Sequence, residues 1–166
     1  MSEIVIRSAV EADLPAILAI YNDAVATTTA IWNDRLSDLK GRRDWWQDRV
    51  HQGFPVLVAE VDGVCVGYAT YGPFRPNDGY KHSRELSVYV AARHRSKGIA
   101  SKLMTALEEH ARAHDVHVLI GGLEAENTAS LALHIKHGFT QAGHLRHVGR
   151  KFDRWLDLVL MQKVLE

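Results

Sequence analysis

The sequence predicts an α/β fold in which a mixed, mostly antiparallel central sheet is flanked by helices, and three observations carry that reading. Strand-like and helix-like stretches follow in the order strand, two helices, three strands, helix, strand, helix, strands. Asp62-Gly63 separates two β-rich runs and is the strongest tight-hairpin signal in the chain. From Glu85 to Ala113 a strand, a short basic loop and an amphipathic helix follow one another without a break, an arrangement suited to binding phosphate.

Composition bounds the answer. At 166 residues, 46% hydrophobic and 24% charged, the chain suits a single domain over 1–166 with a sizeable core. Lys plus Arg and Asp plus Glu number 20 each, so no bulk charge points to nucleic acid or an anionic membrane, and a small ligand is expected. The N-terminal MSEIVIRSAVEAD lacks the features of a signal peptide, and no apolar segment is long enough to span a bilayer. The lone Cys65 allows no internal disulfide. A cytoplasmic location is the expectation.

The elements follow from local pattern. Ile4 to Arg7 reads as a first strand, and Leu14, Ile17, Leu18, Tyr21 and Val25 mark one face of a helix whose Pro15 is tolerated in the first turn. Thr27 to Trp32 has neither period and reads as a loop able to line a pocket, leading into a helix over roughly 36 to 52. Trp45 and Trp46 lie on that helix; being adjacent, one is expected to pack inward and the other to sit on a rim or a partner surface. Phe54 to Val61 and Val64 to Tyr71 form the hairpin, with Cys65 a small core residue of its second strand. Gly72 to Gly79 is dense in turn formers, with Arg75 as its charged tip. Leu86, Val88 and Val90 alternate with Glu85, Ser87 and Tyr89, giving a strand with one apolar and one functional face. Ile99, Leu103, Leu107 and Ala111 recur at helical spacing, so a helix starts at about Lys97. Val116 to Gly121 reads as a strand and Asn127 to His137 as a helix closing at Gly138; Phe139 onward and Trp155 to Val164 return to strand texture.

Arg95-Ser96-Lys97-Gly98-Ile99-Ala100 fits the pattern R/Q-x-x-G-x-G/A. It lacks both the Gly-Lys-Ser/Thr of a P-loop and the three glycines of a dinucleotide fingerprint. This stretch resembles the diphosphate-binding loop of the GNAT family of N-acetyltransferases. Further blocks, Ile20 to Val25, Thr29 to Trp32, Ser87 to Val90, Glu126 to Ser130, Leu133-His134 and His147 to Asp157, are similar to the phosphinothricin and methionine sulfoximine acetyltransferase branch. The resemblance implies the acyl-CoA N-acyltransferase fold and a homodimer. It also implies transfer of acetyl from acetyl-CoA to the α-amine of a compound of the methionine sulfoximine, methionine sulfone or phosphinothricin type. Two departures stand out: Ala100 replaces the commoner second glycine, and the loop runs Phe74-Arg75-Pro76-Asn77-Asp78 where an aromatic often follows the proline.

Site residues follow from the resemblance and from what aminolysis of a thioester needs: a base for the ammonium proton, donors for the oxyanion, and a proton for the thiolate. Glu85 is the candidate base, and His134 stands where many family members carry a tyrosine that protonates the thiolate. Strand residues Val88, Tyr89 and Val90 are expected to offer backbone N–H groups to the cofactor. Arg95, Ser96, Lys97, Gly98, Ile99, Ala100 and Ser101 are expected to hold its diphosphate, with Asn127 and Ser130 contacting the pantetheine end or capping their own helix. Trp32, Arg75, Pro76, Asn77, Leu86 and Ser87, together with Glu85, are expected to shape the substrate side, and Tyr80 and Trp155 to contribute. No metal is expected, because His110, His114 and His117, like the other histidine pairs, lack a completing ligand set. Acetylation of a protein lysine or N-terminus and a non-catalytic acyl-CoA-binding module stand as alternatives.

Overall fold

In the computed structural model, which describes residues 2–166, β1 (Ile4–Ser8) leads into α1 (Leu14–Thr27) and α2 (Leu39–His51). β2 (Val56–Val61), β3 (Val64–Pro73) and β4 (Ser83–Val90) follow, then α3 (Ile99–Ala113), β5 (Val118–Glu124), α4 (Thr128–Lys136), β6 (Thr140–Lys151) and β7 (Arg154–Val164). The strands form one sheet in the order β1-β2-β3-β4-β5-β7-β6. Among the described residues only the β4–β5 pair is parallel, and every other pair is antiparallel. The hairpin between β2 and β3 turns on Asp62 and Gly63, both with positive φ (52° and 79°), the backbone a tight right-twisted hairpin requires.

α3 packs on one face of the sheet. Ile99, Leu103, Leu107 and Ala111, the residues at helical spacing, are essentially inaccessible, and they meet Ala69, Tyr71, Leu86 and Leu119 from the strands. Each such buried leucine stabilises the fold by about 1.5–3 kcal/mol. α1 covers the opposite face, where Leu14, Ile17 and Ile20 pack on Val58 and Tyr68 of the strands, and α2 adds Trp45 and Trp46 at its edge. The buried stripe of α1 runs through Ile20 and Ala24, with Leu18 and Tyr21 only half-buried on its flank. On α2 the two tryptophans do not divide between core and rim. Both are half-buried against the second cluster, Trp45 meeting Tyr68 edge to face at 5.9 Å, because two large adjacent rings can each reach the sheet from a flank of the helix. Cys65 is half-buried against the same cluster, and burial pushes its thiol pKa up to about 11, which makes it a packing residue rather than a nucleophile.

One irregularity of the sheet organises the rest. β4 and β5 pair only from Ser83↔Val118 to Glu85↔Ile120. Beyond that point β4 stays bonded to β3 as far as Val90, and β5 stays bonded to β7 as far as Glu124, so the two strands part and the sheet opens in a V. Among the described residues no helix is long and apolar enough to cross a membrane.

Candidate active site

The opening of the V holds a cavity of about 870 Å³ that passes from one face of the sheet to the other. Its sides are Leu86 to Val90 of β4 and Gly122 to Glu124 of β5; Ile20 and Ala24 of α1 line it on one face, and Ile99, Ser101, Leu133 and His134 on the other. Thr27 to Ala30 form part of its wall, and Phe152 and Arg154 of the β6–β7 turn stand at the rim. Lys151 fixes that wall. It is buried, and its ammonium donates to the carbonyls of Val25 (2.6 Å), Thr28 (2.8 Å) and Ile31, which ties the end of α1 and the following loop to the β6–β7 hairpin.

Parting from β5 leaves one edge of β4 without strand partners. The Ala91 N–H donates to Val66 on the β3 side, so strand alternation turns the N–H groups of Val88 and Val90 toward the cavity. At the wide end, Ser96 (φ 62°) and Gly98 (φ 81°) are left-handed, and Gly98 precedes α3. The first helical bond there is from Lys102 N–H to the Gly98 carbonyl, so the N–H groups of Ile99, Ala100 and Ser101 have no partner within the helix and carry the positive end of its dipole. That arrangement of backbone N–H groups suits an anion.

At the closed end of the V lies Glu85, the last β4 residue paired with β5. Its carboxylate rests over Gly122, where a Cβ would come 3.1 Å from Oε2. Burial among protein atoms raises its pKa, opposed by the charges of Arg49 and Arg75. His134 lies against the preceding residue: a Cβ on Gly121 would come 2.6 Å from its Nε2. Since successive strand residues face opposite ways, Glu85 and His134 approach β5 from opposite sides of the sheet. His134 is buried, edge-on to Phe139. Its Nδ1 is 2.7 Å from the Ser130 carbonyl, so Nδ1 carries a proton and donates, while Nε2 is buried and has no partner. Burial lowers its pKa, which leaves the neutral ring with an acceptor at Nε2.

Of the residues singled out from sequence, Leu86, Ser87, Val88, Tyr89, Val90, Arg95, Ser96, Gly98, Ile99, Ala100, Ser101, Asn127, Ser130 and His134 line this one cavity. Lys97 is exposed and outside its lining, and Arg75, Pro76 and Asn77 form an exposed loop beyond it. Arg75 lies over the Phe74 ring at 5.2 Å. Trp32 packs face-on against Gly149 of β6, at a distance that leaves no room for a side chain there, and donates from Nε1 to the Thr29 carbonyl at 2.8 Å. Asn127 caps α4, accepting the Ser130 N–H at 3.2 Å.

Sequence reasoning missed Arg49. Its guanidinium lies against Gly72, the residue paired with Glu85 across β3 and β4, and donates to Thr70 Oγ1 at 3.3 Å. It therefore adds a cation beside the proposed base. Nothing in the weakly patterned α2 sequence marks it. The adjacent Gly121-Gly122 in an apolar strand was the readable signal for close approach at β5. No group of three or more His, Cys, Asp or Glu suited to a metal occurs among the described residues.

A family model described as the acetyltransferase (GNAT) family matches residues 17–139. An L-methionine sulfoximine/L-methionine sulfone acetyltransferase of Pseudomonas aeruginosa is 49% identical over 162 residues, covering 97% of this chain and 94% of the relative. A solved structure of ribosomal-protein-alanine N-acetyltransferase from Brucella melitensis superposes with a TM-score of 0.96 at 60% identity, over 97% of this chain and 99% of its own. A Salmonella typhimurium protein solved with its cofactor acetyl-CoA superposes with a TM-score of 0.96 at 46% identity, over 98% and 94%.

Proposed function

This chain belongs to the acetyltransferase (GNAT) family, and from that premise we propose that it moves acetyl from acetyl-CoA to the α-amine of a small amino acid of the methionine sulfoximine, methionine sulfone or phosphinothricin type. The observation that carries this is the split between β4 and β5: the cavity in it has free backbone N–H groups at its wide end, and Glu85, outside the cavity lining, is the last β4 residue paired with β5 at its closed end. Glu85 to Val90 spans five residue-to-residue steps of strand, roughly 16 Å, a length suited to an extended pantetheine arm.

Acetyl-CoA, when bound, supplies a thioester whose acyl carbon accepts the amine. The N–H groups of Ile99, Ala100 and Ser101 hold the diphosphate, and that of Val90 binds along the arm. The Val88 N–H is the donor assigned to the carbonyl oxygen as negative charge develops. Glu85 takes the ammonium proton, directly or through water, and its raised pKa makes it a better base than an ordinary carboxylate. His134 holds Nδ1–H on Ser130, so its bare Nε2 would take the second proton that the attacking nitrogen loses and pass it to the departing sulfur. Arg49 and Arg75 place positive charge beside Glu85 and suit the carboxylate of an amino-acid substrate.

The homodimer and the cytoplasmic location belong to this proposal. Supporting the first, Leu145, Val148, Phe152 and Trp155 are exposed along the β6–β7 hairpin at the edge of the sheet.

The likeness to a ribosomal-protein-alanine N-acetyltransferase favours a second reading, acetylation of a protein N-terminal amine. Thiol release from acetyl-CoA with methionine sulfone, methionine sulfoximine, phosphinothricin, an Ala-initiated peptide and a lysine peptide separates the readings. The proposal expects turnover of the small compounds and inert peptides. Peptide turnover alone overturns it.

A further inference from the structure

We propose that His137 controls, through Ser101, how tightly the loop at the start of α3 holds the diphosphate, and that His137 gains a proton when the diphosphate binds. This rests on the reading of Arg95 to Ser101 as the diphosphate site.

Ser101 stands on the cavity wall with its N–H unpaired in the helix, and its hydroxyl lies 2.8 Å from His137 Nε2. The other ring nitrogen, Nδ1, lies 3.7 Å from Glu108 Oε1. The His137 side chain is only 10% exposed and that of Glu108 8%. Glu108 Oε1 is buried and has no hydrogen-bond partner, while Oε2 accepts from Lys163 Nζ at 3.1 Å. Lys163 also donates to the His137 carbonyl at 2.6 Å. The chain Ser101–His137–Glu108–Lys163 thus links the cofactor loop to the C-terminal end of α4 and to β7. The charged and titratable groups around His137 are Glu108 on α3, with Arg112 3.9 Å from Glu108, Lys163 on β7, and Lys136 and His134 on its own helix.

The hydrogen positions decide what Ser101 can offer. A neutral ring with its proton on Nδ1, facing Glu108, must accept at Nε2, and the Ser101 hydroxyl then points at the ring, away from the cavity. A neutral ring with its proton on Nε2 turns a lone pair toward Glu108 and leaves Oε1 unpartnered. The imidazolium donates to Ser101 from Nε2, sets its positive charge 3.7 Å from Glu108 Oε1 and frees the Ser101 hydroxyl to donate into the cavity. A diphosphate favours that state twice, through its charge and through the donor it gains. Burial lowers the His137 pKa in the free protein, so the ring is neutral at pH 7 before the ligand arrives. Affinity for the diphosphate therefore rises as pH falls through the window between the free and bound pKa values, and binding takes up protons there.

Calorimetry with dephospho-CoA tests this in two buffers of different ionisation enthalpy, since that ligand carries the diphosphate without a phosphomonoester titrating near neutrality. The wild-type protein should bind on the order of tenfold more tightly at about pH 5.5 than at about pH 7.5, one unit of pKa coupling, with net proton uptake between. His137→Gln keeps a donor for Ser101 but cannot titrate; it should bind with pH-independent affinity and no uptake. Ser101→Ala, half-exposed on the first turn of α3, should lose most of the dependence and serves equally if the His137 variant fails to fold. Absent proton uptake in the wild type, or undiminished uptake in either variant, overturns the proposal. Dephospho-CoA binding no more tightly than pantetheine at both pH values overturns the diphosphate reading itself, and this linkage with it.

Discussion

Gly121→Ala is the sharpest test of how His134 is held. An alanine Cβ at 121 lies 2.6 Å from His134 Nε2 and 2.9 Å from Cδ2, so the nearer ring atom is 0.8 Å inside the 3.4 Å at which ordinary contact begins. The ring cannot swing freely, because Nδ1 is bonded to the Ser130 carbonyl and the ring is packed edge-on to Phe139. Overpacking of this kind costs about 1–3 kcal/mol, and a lost hydrogen bond about 0.5–1.5 kcal/mol more. At about 2–4 °C per kcal/mol for a chain of this size, Tm should fall by roughly 3–18 °C. A displacement of about 1 Å at the site should lower kcat by up to about 10²-fold. Gly122→Ala is the control: its Cβ meets the movable end of Glu85 at 3.1 Å and Leu158 Cδ1 at an ordinary 3.5 Å, and stability should change by less than about 1 kcal/mol. Thermal unfolding in a double-mutant cycle with His134→Ala decides the matter, since Gly121→Ala should cost less than about 1 kcal/mol once the ring is gone. Additive effects, within about 0.5 kcal/mol, would refute the proposed contact.

Other perturbations follow from the same geometry. Lys151→Met strands the carbonyls of Val25, Thr28 and Ile31, so it should destabilise the protein by about 2–4 kcal/mol and speed proteolysis between Thr28 and Trp32; an unchanged Tm would remove Lys151 as the fastening of that wall. Arg75→Ala should raise KM for the amino-acid substrate about tenfold or more and leave KM for acetyl-CoA nearly unchanged, and equal effects on both would make Arg75 structural. Arg49→Met removes a charge that opposes the raised pKa of Glu85, so the acid limb of kcat/KM should move to higher pH; a limb moved downward contradicts the assignment.

Much of the fold was legible because it rests on local pattern. Asp62-Gly63 dictated its turn through backbone conformation, and Ile99, Leu103, Leu107 and Ala111 marked the face of α3 that the sheet buries. β6 was harder to bound: it is an edge strand exposed along most of its length, so apolar alternation is weak there. In the site, the residues that local pattern singled out in two nearby runs, Leu86 to Val90 and Arg95 to Ser101 apart from Lys97, line one cavity. What depends on three dimensions was not legible. That Glu85 and His134 meet neighbouring glycines from opposite faces follows from strand register, and Arg49 reaches Gly72 only through the docking of α2. Trp32, which the sequence offers as a substrate contact, lies against Gly149, a partner 117 positions away that no local spacing announces.

The most direct test of the account is the pH dependence of kcat/KM for methionine sulfone in the wild-type protein and in Glu85→Gln. A base with a raised pKa must lose its proton before it can act, so wild-type activity should climb with pH through a limb above the ordinary carboxylate range. Glu85→Gln should lower kcat by about two orders of magnitude, abolish that limb and leave acetyl-CoA binding intact. A variant that keeps both its rate and its limb would contradict the claim that the closed end of the split sheet supplies the base.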